Sequence, residues 1–425
     1  MSTPPRTNRV TSRYSLLLLL LSALLLAACT PLVTGMESLL FLLLYGGTSS
    51  EMGPPPGTVQ SAVRDHPLTS LLAAVPDTAA NRAYVVLNDY AAWDSVTQSP
   101  AISQPFDLAS LLTVDDGRWL RVRTTQMPSP GALGLESLRT ENMVDWYGYN
   151  YFDALQSIEA GAPPDGLTVL SLRTPAERIE TSLTASGYVA AAQAGGTLYS
   201  LREDYAIDFQ SPTQIGRMAT LNRIAVLEGG EAGTTSLLIG RATDPVLDGL
   251  AAAAGTLPSL ADSASVHAAF STLLLPGVAQ DRALVSVIMV DGPQLADPLA
   301  LLESGSEARR AQMERFAKRR IPAADLAAFA TYRSAQSTFL SVAIVLPATA
   351  DAGTTAATVA ERMGSYVSTV TDRDFGALWT ADASGGIDAG GTPVAWVTMR
   401  LLDEQIHRPG WIELIATRDL FFLAP

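Results

Sequence analysis

The run Leu167-Thr168-Val169-Leu170-Ser171-Leu172, followed by Thr174-Pro175-Ala176-Glu177, Ile179, Leu183 and Gly187, reads as a strand feeding a helix. Six residues rich in Leu, Val and Thr suit a strand. Thr174 to Glu177 has the spacing of a capping box with proline in the first turn, Ile179 and Leu183 fall on one helical face, and Gly187 supplies a stop. Strands near Tyr188-Val189 and Leu198-Tyr199 come next. The apolar runs Arg223 to Leu227 and Ser236 to Ile239, joined by a Gly-rich loop, read as a hairpin, and Asp244-Pro245 opens a helix reaching about Ala254.

Outward from this block, a similar order returns in 339–422. Phe339 to Leu346 is a strand, Thr354 to Val370 a helix, and Val394 to Leu401 and Trp411 to Ala416 are strands; helices starting at Asp297-Pro298 and over Ser306 to Arg320 precede them. Toward the N-terminus, a helix over Pro67 to Val75 stops at Pro76, and Ala83 to Leu87 is a strand. Weaker elements, Leu108 to Leu112 and Trp119 to Val122, flank an Asp115-Asp116-Gly117 turn. Hairpins mixed with helices, without strict alternation, predict an α+β fold. The 425 residues exceed what one core usually serves, so we expect two similar sub-domains of mixed or antiparallel sheet with helices on one face, over 58–255 and 256–425.

The first 57 residues are of another kind. Arg6, Arg9 and Arg13 form a basic stretch without acids, and Ser15 to Leu26 is apolar, the layout of a secretory signal over 1–28. An apolar core of about 12 residues is too short to span a bilayer as a helix, which takes about 20. Leu26-Ala27-Ala28-Cys29 resembles the lipobox of bacterial lipoproteins. That resemblance implies a diacylglycerol on the Cys29 thiol, cleavage before it, and an anchor in the cell membrane or outer membrane facing away from the cytoplasm. Cys29 is the only cysteine, which excludes an internal disulfide. Residues 29–57 read as a tether: an apolar segment, Met36 to Tyr45, is followed by a Gly/Ser/Pro run from Gly46 to Gly57.

Glu159-Ala-Gly-Ala-Pro-Pro-Asp-Gly-Leu, Ser186-Gly187-Tyr188 and Pro258-Ser-Leu-Ala-Asp262 are similar to phrases in uncharacterised secreted lipoproteins of bacteria. The resemblance implies a compartment and α+β structure, and no activity.

The formal charge is −14; leaving out residues 1–28, with three arginines and no acid, makes it −17. Such a body repels phosphate backbones and argues against nucleic acid as a partner. No Gly-x-Ser-x-Gly occurs, and Ser304 in Glu-Ser-Gly-Ser lacks the flanking glycines. His66, His267 and His407 are the only histidines, without metal-ligand spacing. Asp382, Ser384 and Asp388 offer oxygens to a hard cation, but their spacing fails the EF-hand pattern, and a solvated loop over Ala381 to Gly391 is expected. Asp115-Asp116, Glu203-Asp204 and Asp403-Glu404 read as solvent-facing acids. Nothing calls for a cofactor.

Two stretches stand out. Trp146, Tyr147, Tyr149 and Tyr151 belong to an aromatic run that either walls a ligand site or plugs a core. Arg309, Arg310, Arg315, Lys318, Arg319 and Arg320 crowd one helix, which either contacts an anionic bilayer or forms a solvated face with Glu307 and Glu314. The expectation is a lipid-anchored, extracytoplasmic, non-catalytic protein that binds a partner protein, an envelope component or a small ligand. The alternatives are a two-lobed substrate-binding lipoprotein of a transporter and an envelope hydrolase with a spatially assembled site.

Overall fold

The computed structural model describes residues 66–97, 123, 126–133, 143–162, 164–208, 220–227, 233–279, 281–296, 307–368, 373–402, 410–417 and 419–425. The chain divides into units 1–56 and 57–425, and all described residues belong to the second. The signal, Cys29, the tether, the elements around Asp115-Asp116-Gly117, and Asp297-Pro298, Ser304, Asp403-Glu404 and His407 lie outside the described residues.

The elements run α1 (Pro67–Leu72), α2 (Ala79–Ala83), β1 (Tyr84–Asp89), α3 (Tyr90–Thr97), α4 (Met143–Tyr147), β2 (Ala154–Ala160), β3 (Leu167–Leu172), α5 (Ala176–Ala185), β4 (Val189–Gln193), β5 (Gly196–Ser200), β6 (Arg223–Leu227) and β7 (Thr235–Gly240). After them come α6 (Thr243–Ala253), α7 (Ala264–Leu273), α8 (Pro276–Ala279), β8 (Ala283–Asp291), α9 (Gly292–Ala296), α10 (Glu307–Ala317), β9 (Leu326–Arg333), β10 (Thr338–Val345), α11 (Ala352–Met363), β11 (Trp379–Asp388), β12 (Pro393–Leu401) and α12 (Gly410–Ala416). The protein is α+β, as its sequence predicts.

The twelve strands form one antiparallel sheet in the order β11-β12-β10-β9-β8-β1-β2-β3-β7-β6-β5-β4. The segments expected as separate sub-domains therefore share a sheet. β1 is the stitch: Asn88 sits opposite Ser157 of β2 on one side and Ser286 of β8 on the other, and the Ser286 hydroxyl donates to the Leu87 carbonyl at 3.1 Å.

Helices cover both faces, which corrects the one-face expectation. Strand side chains alternate between faces, so Val85 and Leu87 of β1 enter one core while Val86 enters another. On the first face one apolar cluster runs across both segments, with α1, α6 and α7 packed on it through Leu68, Leu72, Leu250 and Phe270. The second face carries two clusters. One holds α3, α4 and α5 over the strands of the first segment; the other holds α10, α11 and α12, mainly over strands of the second. With both faces covered, β10 has no solvent side, and all eight residues of Thr-Phe-Leu-Ser-Val-Ala-Ile-Val are buried. Continuous apolar runs of this kind mark doubly covered strands.

Three local expectations are corrected. Trp411 to Ala416 is helical, because Trp411, Leu414 and Ile415 fall at the i, i+3, i+4 spacing that buries one helical stripe. The stretch from Ala381 is strand β11 as far as Asp388, paired with β12 through a bulge at Ala381/Ala383. The capping box at Thr174 does not form: Pro175 is the N-cap and makes no side-chain bond, while the Thr174 carbonyl accepts from Thr235 Oγ1. The two sheet edges also differ. β11 carries its bulge, an Asp382–Arg282 ion pair at 2.8 Å and α11 packed against it, whereas β4 is short, uncharged and exposed along four of its five residues.

Candidate functional site

The second face of the sheet holds two buried arginines, each set in aromatic rings, and they are the best-built polar features among the described residues. The first lies over the strands of the first segment. α4 ends in Gly148, whose left-handed backbone (φ +79°) lets the chain pass α5 so closely that a Cβ there would sit 2.7 Å from the Ile179 Cα. Asn150 then caps a short 3-10 turn by a reciprocal pair of bonds, its Oδ1 accepting from Phe152 N–H at 2.8 Å and its own N–H donating to Asp153 Oδ2 at 2.9 Å. This geometry turns Tyr147, Tyr149 and Tyr151 inward, all three at 0% exposure.

The rings contact one another edge-on or tilted: Tyr147 with Tyr149 and Tyr188, and Tyr151 with Tyr90 and Phe152. The Arg123 guanidinium lies 4.9 Å from the Tyr90 ring centre and 5.0 Å from that of Tyr151, and pairs with Asp94 at 3.1 Å. Beside it, Asn88 Nδ2 donates to the Pro128 carbonyl at 2.8 Å and to Ser157 Oγ at 3.3 Å, and Gln126 Nε2 donates to Thr338 Oγ1 at 3.2 Å. Burial, above all other influences, pushes the Tyr90 and Tyr151 phenols up, so both stay protonated. Burial likewise raises Asp89 and Glu159 on the adjoining strands.

The second arginine is Arg362 on α11, where Thr355, Val359 and Met363 face the core. Arg362 is 4% exposed. Its Nη1 donates to the carbonyls of Phe422 at 3.2 Å and Ala424 at 2.6 Å, and its Nη2 to those of Phe316 at 3.0 Å and Arg319 at 2.6 Å. Two of these carbonyls lie at the C-terminal end of α10, where a helix presents its negative pole. The Phe316 ring lies 4.9 Å from the guanidinium. Among the described residues no carboxylate is within ion-pair distance of Arg362, and burial lowers its pKa. In the same cluster Asp419, at 0% exposure, accepts from Tyr366 and Ser368 hydroxyls at 2.6 Å each.

A small cavity of about 40 Å³ opens between α10 and α11, lined by Arg315, Arg319, Thr358, Glu361, Arg362 and Ser365. A shallow depression over the first turns of α5 is lined by Pro175, Glu177, Arg178, Thr181 and Ser182.

The residues singled out from sequence are distributed as follows. Tyr147, Tyr149 and Tyr151 fill a core, with Trp146 half-buried at its rim; they line neither of these two openings. Of the basic helix, Arg310, Lys318 and Arg320 are exposed. Arg315 donates to the Ser365 carbonyl at 3.3 Å, and Arg319 pairs with Glu361, so these two turn toward α11. His66 caps α1, accepting from Leu68 N–H, and its pKa is lowered by burial, which preserves the neutral acceptor. His267 lies 3.3 Å from Ser271 one turn along α7. Asp204, expected as a solvent-facing acid, pairs with Arg223 at 2.6 Å and accepts from Thr243 N–H at the start of α6. Among the described residues no group of three or more His, Cys, Asp or Glu could hold a metal ion, and no helix is long and apolar enough to cross a membrane. Among the described residues one sheet runs through both segments, where the transporter alternative expects two lobes.

Sequence reasoning missed Arg123 and Arg362. For Arg362 a signal was present: it occupies a position on the apolar stripe of an amphipathic helix, where a cation needs buried acceptors.

No family model and no curated protein matches the chain. Crystal structures of TP0453 are loosely similar. Crystal form III superposes with a TM-score of 0.29 at 7% identity, covering 77% of this chain and 92% of that one. Crystal form IV gives 0.32 at 7% identity, covering 80% and 95%. At that level of superposition no property of TP0453 transfers to this protein.

Proposed function

We propose that the protein is a lipid-anchored, extracytoplasmic binding protein, held at a bacterial membrane through Cys29 and engaging a partner protein, an envelope component or a small ligand. The observation that carries the reading is the ordered run of Arg6, Arg9 and Arg13, the apolar Ser15 to Leu26, and Leu26-Ala27-Ala28-Cys29 at its end. Each part has its physical role: positive charge holds the leader at the inner surface, the short apolar core engages the export machinery without spanning stably, and the thiol receives the lipid. Binding in preference to turnover is supported by the use made of the two described histidines, His66 as a helix cap and His267 as a partner of Ser271 within one helix.

Metabolic labelling with radioactive palmitate tests the anchor. The native protein takes up label and sediments with membranes, and Cys29→Ser does neither. Mass spectrometry that finds Met1 in place, or a free thiol at position 29, overturns the reading. For the binding half, a broad serine-reactive probe should leave the protein unmodified; a labelled serine whose substitution also abolishes turnover would transfer the assignment to the envelope hydrolase.

A further inference from the structure

We propose that the cavity between α10 and α11 is a binding site for a phosphate-class oxyanion. A guanidinium has five N–H donors. Four on Arg362 are taken by the carbonyls of Phe316, Arg319, Phe422 and Ala424, and the fifth, Nε–H, is buried without an acceptor among the described residues. Carbonyl dipoles solvate a cation but leave its charge in place.

That charge lines a cavity together with Arg315 and Arg319, against the single carboxylate of Glu361. Three cations facing one anion is a local surplus in a chain whose formal charge is −14. The ion pair between Arg319 and Glu361 is exposed on both sides, at 65% each, so solvent screens it and an incoming anion can compete for Arg319. The cavity volume of about 40 Å³ corresponds to about three water-sized centres, since one needs roughly 10–15 Å³; that suits a tetrahedral oxyanion with the rest of its molecule outside. Arg310, Lys318 and Arg320 stand exposed on and just beyond the same helix and would steer an anion inward. The site is independent of acylation at Cys29.

A terminal phosphate on a lipid headgroup and a free phosphate group share this chemistry, and the test separates them. Inorganic phosphate is titrated into the full-length protein in detergent by calorimetry, at constant ionic strength with chloride as the control anion. In parallel, flotation compares phosphatidylcholine vesicles with and without phosphatidic acid. Wild type binds phosphate over chloride. Arg315→Ala/Arg319→Ala, which leaves the Arg362 carbonyl cage intact, weakens phosphate binding about tenfold or more with an unchanged melting temperature, because each lost charge-assisted donor is worth on the order of one such factor. Glu361→Gln removes the competing carboxylate and tightens binding, whereas Glu314→Gln, the same charge change on the exposed side of α10, leaves it unaltered. Added recovery on phosphatidic acid vesicles that the double variant loses assigns the oxyanion to a headgroup; phosphate binding without that gain assigns it to a soluble phosphate. Absence of phosphate binding by wild type, or binding indifferent to both the double variant and Glu361→Gln, overturns the proposal.

Discussion

The two clusters on the second face of the sheet answer one physical problem differently. Each buries an arginine almost completely, 1% exposed for Arg123 and 4% for Arg362, and an uncompensated buried charge is costly. The first cluster neutralises its cation with the Asp94 carboxylate and tyrosine faces. The second satisfies hydrogen-bonding capacity with four carbonyls and keeps the charge. Neutralisation gives a closed core. Solvation without neutralisation leaves a positive potential beside a cavity, which is why the second cluster, and not the aromatic run that drew notice in the sequence, carries the proposed anion site.

The largest expected effect comes from dismantling the carbonyl cage. Arg362→Met leaves four carbonyls, three of them in buried bonds, without their donor and should cost about 4 kcal/mol in urea unfolding. Arg362→Lys should recover little, since an ammonium offers three donors without the planar fork. A loss under 1 kcal/mol would mean that the cage contributes little to holding 421–425 against α10 and α11. Next is Asp94→Asn, which takes the carboxylate from the Arg123 ion pair; because Asp94 is itself partly solvated, a loss of about 2 kcal/mol is expected. Arg362 has no equivalent carboxylate to lose, so a comparable effect from Glu361→Gln would break the contrast between the clusters.

Hydroxyl deletions sharpen it further. Tyr366→Phe removes a 2.6 Å donor from the buried Asp419 carboxylate and should cost about 1.5 kcal/mol, whereas Tyr90→Phe removes a 3.3 Å contact from Ser157 and should cost about half as much.

Much of the local structure is legible in the sequence. The strand Leu167–Leu172, the Ile179/Leu183 face of α5 and the β6/β7 hairpin follow from spacing and turn residues. What is not legible is long-range. The contact between Leu87 and Ser286 joins positions 199 residues apart, and no local pattern announces it. The doubly apolar Thr338–Val345 was a clue that both faces are covered. In the candidate site, Arg315 and Arg319 were noticed as part of a basic helix. Their use depends on the loop after α11, where the Ser365 carbonyl sits, and that is a tertiary fact. The seven residues of α12, with Trp411, Ile412, Leu414 and Ile415 apolar, fit strand and helix alike.

The smallest effect concerns pH. Burial raises the Glu159 pKa above its ordinary value of 4.5, so the native state holds that proton more tightly than the unfolded chain. Stability therefore falls as pH rises from the unfolded value through the raised native one. Glu159→Gln should remove that decline, gaining melting temperature over wild type at neutral pH and nothing in acid.

All of these comparisons presume that the two clusters belong to one body stitched by β1. Equilibrium urea unfolding tests this directly. Trp93 and Trp146 report the first cluster in a variant with the other tryptophans replaced by phenylalanine; Trp379 and Trp411 report the second in the reciprocal variant; far-ultraviolet circular dichroism reports both. Within each variant the account predicts that the fluorescence midpoint coincides with that variant's own circular dichroism midpoint; a fluorescence midpoint that departs from it would contradict the account.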